Sequence, residues 1–261
     1  MTARRTVGEG ARRGAVEGAE QLREWIGACP PGGMVFFGGA GVSTESGIPD
    51  FRSADGLYRQ KAEYPYPPEV MISRTFFDAH PGQFFDYYCD KMLALDAQPN
   101  AAHRALAQLE RDGVCSAVVT QNIDGLHQAA GSRNVLELHG SVHRNYCMEC
   151  GRAYGVREML AAREAATDGV PRCECGGIVK PDVVLYEEPL DAAVMEGAVR
   201  AIARADLLLV AGTSLAVYPA AGLLDCFRGS HLAIVNRDPT PGDAQADLCI
   251  HASIGDVLGR V

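Results

Sequence analysis

The sequence predicts an α/β protein built on a parallel sheet with helices on both faces. Short, almost wholly apolar runs (34–37, 114–120, 183–186, 206–211 and 231–235) alternate with longer segments of helical spacing, and a strand covered on both faces reads as a continuous apolar run. Glycine-rich or polar residues follow several of these runs directly, at the strand ends where such sheets bind ligands. The 261 residues, 47% apolar and 22% charged, can bury a sizeable core, which excludes disorder, collagen and coiled coil for the chain as a whole.

Residues 1–14 (MTARRTVGEGARRG) carry almost no apolar side chains and read as a mobile tail. Residues 15–27 space Val16, Leu22, Trp25 and Ile26 as a helix, stopped by Pro30-Pro31-Gly32-Gly33. The buried strand 34–37 runs straight into Gly38-Gly39-Ala40-Gly41. Residues 59–99 are rich in aromatics and proline, with helical stretches at 69–78 and 82–94, and 100–112 is a helix closed by Gly113. Strand 114–120 ends in Gln121-Asn122-Ile123-Asp124-Gly125, and strand 135–138 ends in His139-Gly140. After the cysteine-bearing segment 146–177 come strand 183–186, helix 190–205, strand 206–211 and a helix following Pro219. Strand 231–235 ends in Asn236, and 248–251 is a last short strand.

Composition narrows the function classes. Asp and Glu number 33 against 24 Lys and Arg, and a net charge of -9 argues against a protein that grips nucleic acid, while suiting a cationic partner. The longest apolar run, around 207–211, is far too short to span a membrane. No apolar stretch follows the charged N-terminus, so no secretory signal is expected and a cytoplasmic location is the default. Cys29, Cys89, Cys115, Cys226 and Cys249 are scattered singly and read as buried thiols.

Five groups carry candidate chemistry. Small residues in Gly38-Gly39-Ala40-Gly41-Val42-Ser43 let the backbone approach a diphosphate, whose charge N–H groups at a following helix start would meet. Thr44 occupies the third glycine position of the dinucleotide fingerprint, so a tight turn competes. The loop continues to Asp50-Phe51-Arg52, long for a plain connection, and long loops tend to be functional; a Phe anchor beside a local ion pair competes. Gln121, Asn122 and Asp124 project from a strand end, against an Asx turn as the plainer reading. His139, also at a strand end, has the side chain most often used as a general base, though any one of seven histidines is as readily structural. Cys147-x-x-Cys150 and Cys173-x-Cys175, 22 residues apart, read as a tetrahedral zinc site. Four thiolates leave no position for water, so the metal is structural and staples a module too small to build its own core. A redox role for Cys147 and Cys150 lacks a helix N-terminus. Last, Thr213, Ser214 and Asn236 follow two strands and offer polar groups to phosphate or ribose, with a helix N-cap competing for Ser214.

Taken together, 39–52 (GAGVSTESGIPDFR), 120–127 (TQNIDGLH), 138–140 (LHG), the two cysteine pairs, 180–184 (KPDVV), 212–215 (GTSL) and 235–236 (VN) resemble the sirtuin family of NAD-dependent protein deacylases. They stand in family order over roughly residues 15–261, and 136–146 (LELHGSVHRNY) is most similar to bacterial members. The resemblance implies a Rossmann-like parallel sheet with helices on both faces (15–58, 100–140 and 181–261). It adds a small domain made of a four-cysteine zinc ribbon (141–180) and a helical insertion (59–99). It implies that Ala40, Gly41, Ser43 and Thr44 cradle the pyrophosphate of NAD. Asp50, Phe51 and Arg52 would belong to a mobile cofactor loop, with Phe51 shielding the reacting ribose carbon. Gln121 would hold the nicotinamide ribose, while Asn122, Ile123 and Asp124 form the nicotinamide pocket and Asn122 and Asp124 take part in catalysis with His139, the base. Thr213, Ser214 and Asn236 would contact the remaining phosphate and the adenosine ribose. The partner is an acyl-lysine protein or peptide, held as an extended strand between the segment after Val183 (Val183 and Val184) and the one around Leu215 to Tyr218. Neither direct nucleic-acid binding nor membrane association is expected.

Two departures from the family pattern stand out. Family members usually carry Gly-Glu where this chain has Glu187-Glu188 after Tyr186. Members preferring acidic acyl groups carry Tyr-x-x-Arg where this chain aligns Phe85-Asp86-Tyr87-Tyr88, which favours acetyl or longer uncharged groups. The rival readings are an NAD-dependent oxidoreductase, a mono-ADP-ribosyltransferase or NAD glycohydrolase on the same scaffold, and a non-catalytic zinc-ribbon adaptor.

Overall fold

The computed structural model describes residues 5–50 and 64–259, with the side chains of 14–50 and 64–259. The strands are β1 (Met34–Gly38), β2 (Cys115–Thr120), β3 (Val135–Glu137), β4 (Gly140–Cys147), β5 (Ala153–Gly155), β6 (Val179–Val183), β7 (Leu207–Ala211), β8 (His231–Val235) and β9 (Leu248–Ile250). The helices are α1 (Arg5–Ala28), α2 (Pro68–Met71), α3 (Arg74–Ala79), α4 (Pro81–Tyr87), α5 (Ala101–Arg111), α6 (Leu126–Ala130), α7 (Val156–Ala165), α8 (Ala192–Arg204) and α9 (Ile254–Leu258).

The main sheet is parallel throughout, in the order β3-β2-β1-β7-β8-β9. The chain runs outward from β1 to β3, then returns to the other side of β1 as β7. Connections therefore leave β1 and β7 in opposite directions, and a crevice opens at their carboxyl ends. Alternate residues of these strands serve opposite faces. Met34, Phe36, Leu207 and Leu209 pack with Leu22 and Ile26 of α1 and Leu106 of α5. Val35, Phe37, Leu208 and Val210 pack with Ala198 and Ile202 of α8.

A second, antiparallel sheet has the order β5-β4-β6. Its apolar face, with Val142, Cys147 and Val179, shares a third core with Phe76 and Phe77 of α3 and Phe84 and Phe85 of α4. The cysteine module thus completes its core with aromatics from the helical insertion.

Several expectations are corrected. Helix α1 begins at Arg5, so residues 5–14 are helical rather than tail; Gly8, Gly10 and Gly14 are poor helix formers, but extending a formed helix is far easier than starting one. The stretch 69–78 divides at Ser73, whose hydroxyl oxygen accepts from Phe76 N–H and caps α3. The stretch 82–94 ends as α4 at Tyr87 and a π-turn, Tyr88–Met92. The strand expected at 183–186 ends at Val183 and pairs antiparallel with β4, while Tyr186 turns away to pair with Ile72 and Arg74. The helix after Pro219 is a 3-10 helix, Ala220–Cys226. Of the scattered cysteines only Cys115 is fully buried, and Cys249 is exposed.

Candidate active site

The site is built where β1, β2, β3 and β7 end. After Gly38 the chain makes two short 3-10 turns, Ala40–Val42 and Thr44–Ser46. Beside them Gly212, after β7, has a left-handed φ of 60°, and a Cβ there would stand 2.4 Å from Val42 N. Glycine at 212 lets the two loops touch, and Gly41 N–H donates to Gly212 O at 2.8 Å. Thr44 Oγ1 donates to Gly41 O at 3.0 Å and tightens the turn.

Gln121 carries β2 into the same crevice. Its N–H donates to Gly38 O at 2.9 Å and its Nε2 to Thr213 Oγ1 at 3.1 Å. Asn122 Nδ2 donates to Ser43 Oγ at 3.0 Å, and Ser43 Oγ–H donates to Asp124 Oδ2 at 2.6 Å. Ser43, almost wholly buried, therefore uses its hydroxyl to orient Asn122 and Asp124. Asp124 Oδ1 accepts from Leu126 N–H at 2.9 Å, which fixes the carboxylate from a second side.

His139 Nδ1 lies 2.9 Å from Gln121 O. A carbonyl only accepts, so Nδ1 carries the hydrogen and the Nε2 lone pair is left to take a proton. Burial lowers the His139 pKa below the ordinary histidine value, partly opposed by that hydrogen bond. The ring is neutral at neutral pH, the form a base requires.

A cavity of about 580 Å³, a volume that suits a small-molecule ligand, gathers these groups. Ala40, Gly41, Ser43, Thr44, Asp50, Gln121, Asn122, Ile123, Asp124, His139, Val183, Val184, Thr213, Ser214 and Asn236 all line it. Phe51 and Arg52 lie outside the described residues. Leu215 takes a left-handed φ of 52° and packs its side chain into the core near Ile234 and Leu224, whereas Val217 and Tyr218 line the cavity.

In the small sheet, the sulfurs of Cys147, Cys150, Cys173 and Cys175 all lie within 4.8 Å of one another. Cys147 and Cys175 are 3.4 Å apart, and Cys150 and Cys173 3.6 Å. Thiolates bound tetrahedrally at about 2.3 Å would stand roughly 3.8 Å apart, so the donor set fits zinc.

Some supporting residues escaped the sequence reading. Asn100 caps α5 by accepting from Ala102 N–H at 3.0 Å, and its Nδ2 donates to Val42 O at 2.7 Å and Ser46 Oγ at 3.0 Å. A cap is legible before a helix, but the second role needs the loop's position. Buried Lys180 reaches Glu188 Oε2 at 3.1 Å and donates to Val183 O at 2.9 Å. Lys91 lines the cavity with its ammonium 3.0 Å from Asp90.

A doubly wound sheet with a histidine-bearing crevice at its switch point, joined to a four-cysteine module, defines a cofactor-binding α/β protein. Residues 39–219 match the Sir2 family, and the chain belongs to that family. An NAD-dependent protein deacetylase of Clostridium acetobutylicum is 57% identical over 229 residues, 87% of this chain and 92% of the relative. A solved structure of Sir2 with p53 peptide and NAD+ superposes with a TM-score of 0.81 at 37% identity, over 93% of this chain and 96% of that one. A Sir2 variant with deacetylated p53 peptide and 3'-O-acetyl ADP ribose superposes with a TM-score of 0.85 at 36% identity over the same shares, 93% and 96%.

Proposed function

We propose that this protein removes acyl groups, acetyl foremost, from protein lysines with NAD as co-substrate, releasing nicotinamide and an O-acyl-ADP-ribose. The observation that carries this is the meeting of the glycine turn, the Gln121 to Asp124 strand end and His139 in one cavity. The 57% identity to a named NAD-dependent protein deacetylase supports the same reading.

The close contact of Gly41 with Gly212 leaves bare backbone at two strand ends, which suits a diphosphate. NAD, when bound, supplies the ribose carbon that accepts the acyl oxygen as nicotinamide leaves. In this reading Ala40, Gly41, Ser43 and Thr44 hold the pyrophosphate, with Asp50, Phe51 and Arg52 closing over it, and Ser43 Oγ also orients Asn122 and Asp124. Asn122 and Asp124, with Ile123, hold the nicotinamide end and exclude water from it. Gln121 orients the adjoining ribose, and Thr213, Ser214 and Asn236 take the remaining phosphate and the adenosine ribose. His139 Nε2 accepts a proton from a ribose hydroxyl, and the Nδ1–H bond to Gln121 O keeps the ring in the tautomer that can do so. Positioning supplies most of the rate, since no protein nucleophile is required.

The acyl-lysine peptide runs as an extended strand beside Val183 and Val184, facing Val217 and Tyr218 on the other wall. Uncharged acyl groups suit the site, because Lys91 on the cavity wall is already paired with Asp90. The zinc is structural, with all four positions filled by thiolates, and supports the small domain formed by 59–99 and 141–180 beside the Rossmann-like remainder. A four-thiolate site persists in a reducing compartment, which supports a cytoplasmic location. The net charge of -9 supports protein partners over nucleic acid. No helix among the described residues is long and apolar enough to cross a membrane.

A panel of acyl-lysine peptides incubated with NAD and read by mass tests the proposal. Loss of acyl mass with one nicotinamide released per lysine is expected. ADP-ribose gained by the peptide, or NAD cleavage that needs no acyl-peptide, would replace it with ADP-ribosyltransferase or glycohydrolase chemistry.

A further inference from the structure

Residues 183–188 form one wall of the cavity, and hydrogen bonds anchor them along their length. Val184 N–H donates to His139 O at 3.0 Å, and Tyr186 exchanges two bonds with the helical insertion, at 3.1 Å with Ile72 O and 3.0 Å with Arg74 N. The Glu188 carboxylate accepts from Leu185 N–H at 2.9 Å, meets Lys180 Nζ at 3.1 Å and accepts from Arg74 Nη1 at 3.2 Å.

Between these anchors Glu187 occupies the left-handed region, with φ of 76°. A side chain there is strained by its own Cβ, and glycine is the residue that adopts the conformation without cost. The side chain offers a compensation that glycine cannot. Glu187 Oε2 accepts from Thr75 N–H at 2.9 Å and from Thr75 Oγ1–H at 2.6 Å. Thr75 belongs to the first turn of α3, where backbone N–H groups lack helical partners. These two bonds also hold the Glu187 carboxyl below the usual carboxylate range, so the charged acceptor persists at neutral pH. Among the described residues, Glu188 ties the wall to Lys180 of the cysteine-bearing sheet and to Arg74 of α3, and Glu187 adds a tie to the next residue of α3, Thr75.

We propose that Glu187 is a positioning residue for the acyl-lysine peptide, latching the 183–188 wall to α3 through Thr75 and so fixing the backbone against which the peptide pairs. The proposal rests on the deacylase reading and gives the Gly-to-Glu departure a physical role. The groups assigned to NAD stand at the ends of β1, β2, β7 and β8, so loosening the wall weakens peptide binding and spares NAD binding.

Steady-state kinetics with an acetyl-lysine peptide and NAD, together with hydrogen exchange of the ligand-free protein, test this. In Glu187→Ala and in Thr75→Val the peptide KM should rise about three- to tenfold, less than the full effect of a lost charge-assisted hydrogen bond because the latch acts on the peptide through the wall, while the NAD KM stays near wild type. The double variant should be no worse than either single one, because both remove the same contact. Glu187→Gln, which keeps an acceptor oxygen, should fall between. Glu187→Gly relieves the strained φ yet loses the latch, so its peptide KM should rise as in Glu187→Ala without a fall in thermal stability. Exchange should quicken together in 183–188 and 74–79. Unchanged exchange in both segments, or peptide and NAD KM rising in step, overturns the latch. Should wild type turn over no acyl-peptide, the deacylase reading falls, and the exchange data still decide whether the latch exists.

Discussion

Every residue of β1 and β7 is buried, whereas β5 has two exposed residues of three, and Cys150 and Cys175 stand exposed at the edge of the small sheet. The central strands of the main sheet are held by apolar packing on both faces, which contributes in proportion to the area removed from water. The small sheet packs its apolar residues against the phenylalanines of α3 and α4, and its outer end gathers four sulfurs, two of them at the margin of that core. The two sheets therefore suit different tasks. Strands fixed by packing present polar ends to the cavity with little freedom to shift. The small sheet instead depends on a metal and on ties such as Lys180–Glu188 to hold its side of the cavity.

Removing the metal is the strongest test of that contrast. Structural zinc binding is worth about 10–16 kcal/mol in zinc-finger peptides, so verified chelation should abolish exchange protection in β5 and α7 and lower activity while β1 and β7 stay protected. Equal loss in both sheets would show them to be one cooperative unit. Next in size, His139→Ala should lower kcat/KM by about 10²- to 10⁴-fold with little change in thermal stability, since the fixed strand ends do not need the ring. Near-wild-type turnover in that variant would remove the assignment of the base. Leu209→Ala, in the packed sheet, should cost about 2–5 kcal/mol in urea denaturation and leave zinc affinity unchanged. The smallest effect is in pH. A base must be neutral, and burial lowers the His139 pKa, so kcat/KM should hold down to pH 6.5 and fall only below it. An acid limb centred above 6.5 would mean that the ring is better solvated than its packing indicates.

The main sheet was largely legible in the sequence because its strands are continuous apolar runs ended by glycine or polar residues. The 206–211 run and β7 differ by one residue. The cysteine pairs were legible for a similar reason, since spacing alone limits which metal geometry they can form. Between residues 140 and 188 the reading was weaker. Strand β4 mixes buried and exposed residues, and β6, though largely buried, carries Lys180, Pro181 and Asp182, so no apolar run announces it. The links made by Ser43 and Asn100 were missed because each depends on a partner far away in sequence, Asp124 for one and Val42 for the other.

Residue pattern alone specified which strands lie inside the main sheet, which loops carry glycine and polar groups, and that four thiols form one site. Local periodicity and spacing express these features without reference to the rest of the chain. That Leu215 points into the core, that Ser43 aligns Asn122 with Asp124, and that Glu187 reaches Thr75 came from the folded chain alone. Such facts depend on long-range packing, which sets side-chain direction and distance and which no local pattern encodes.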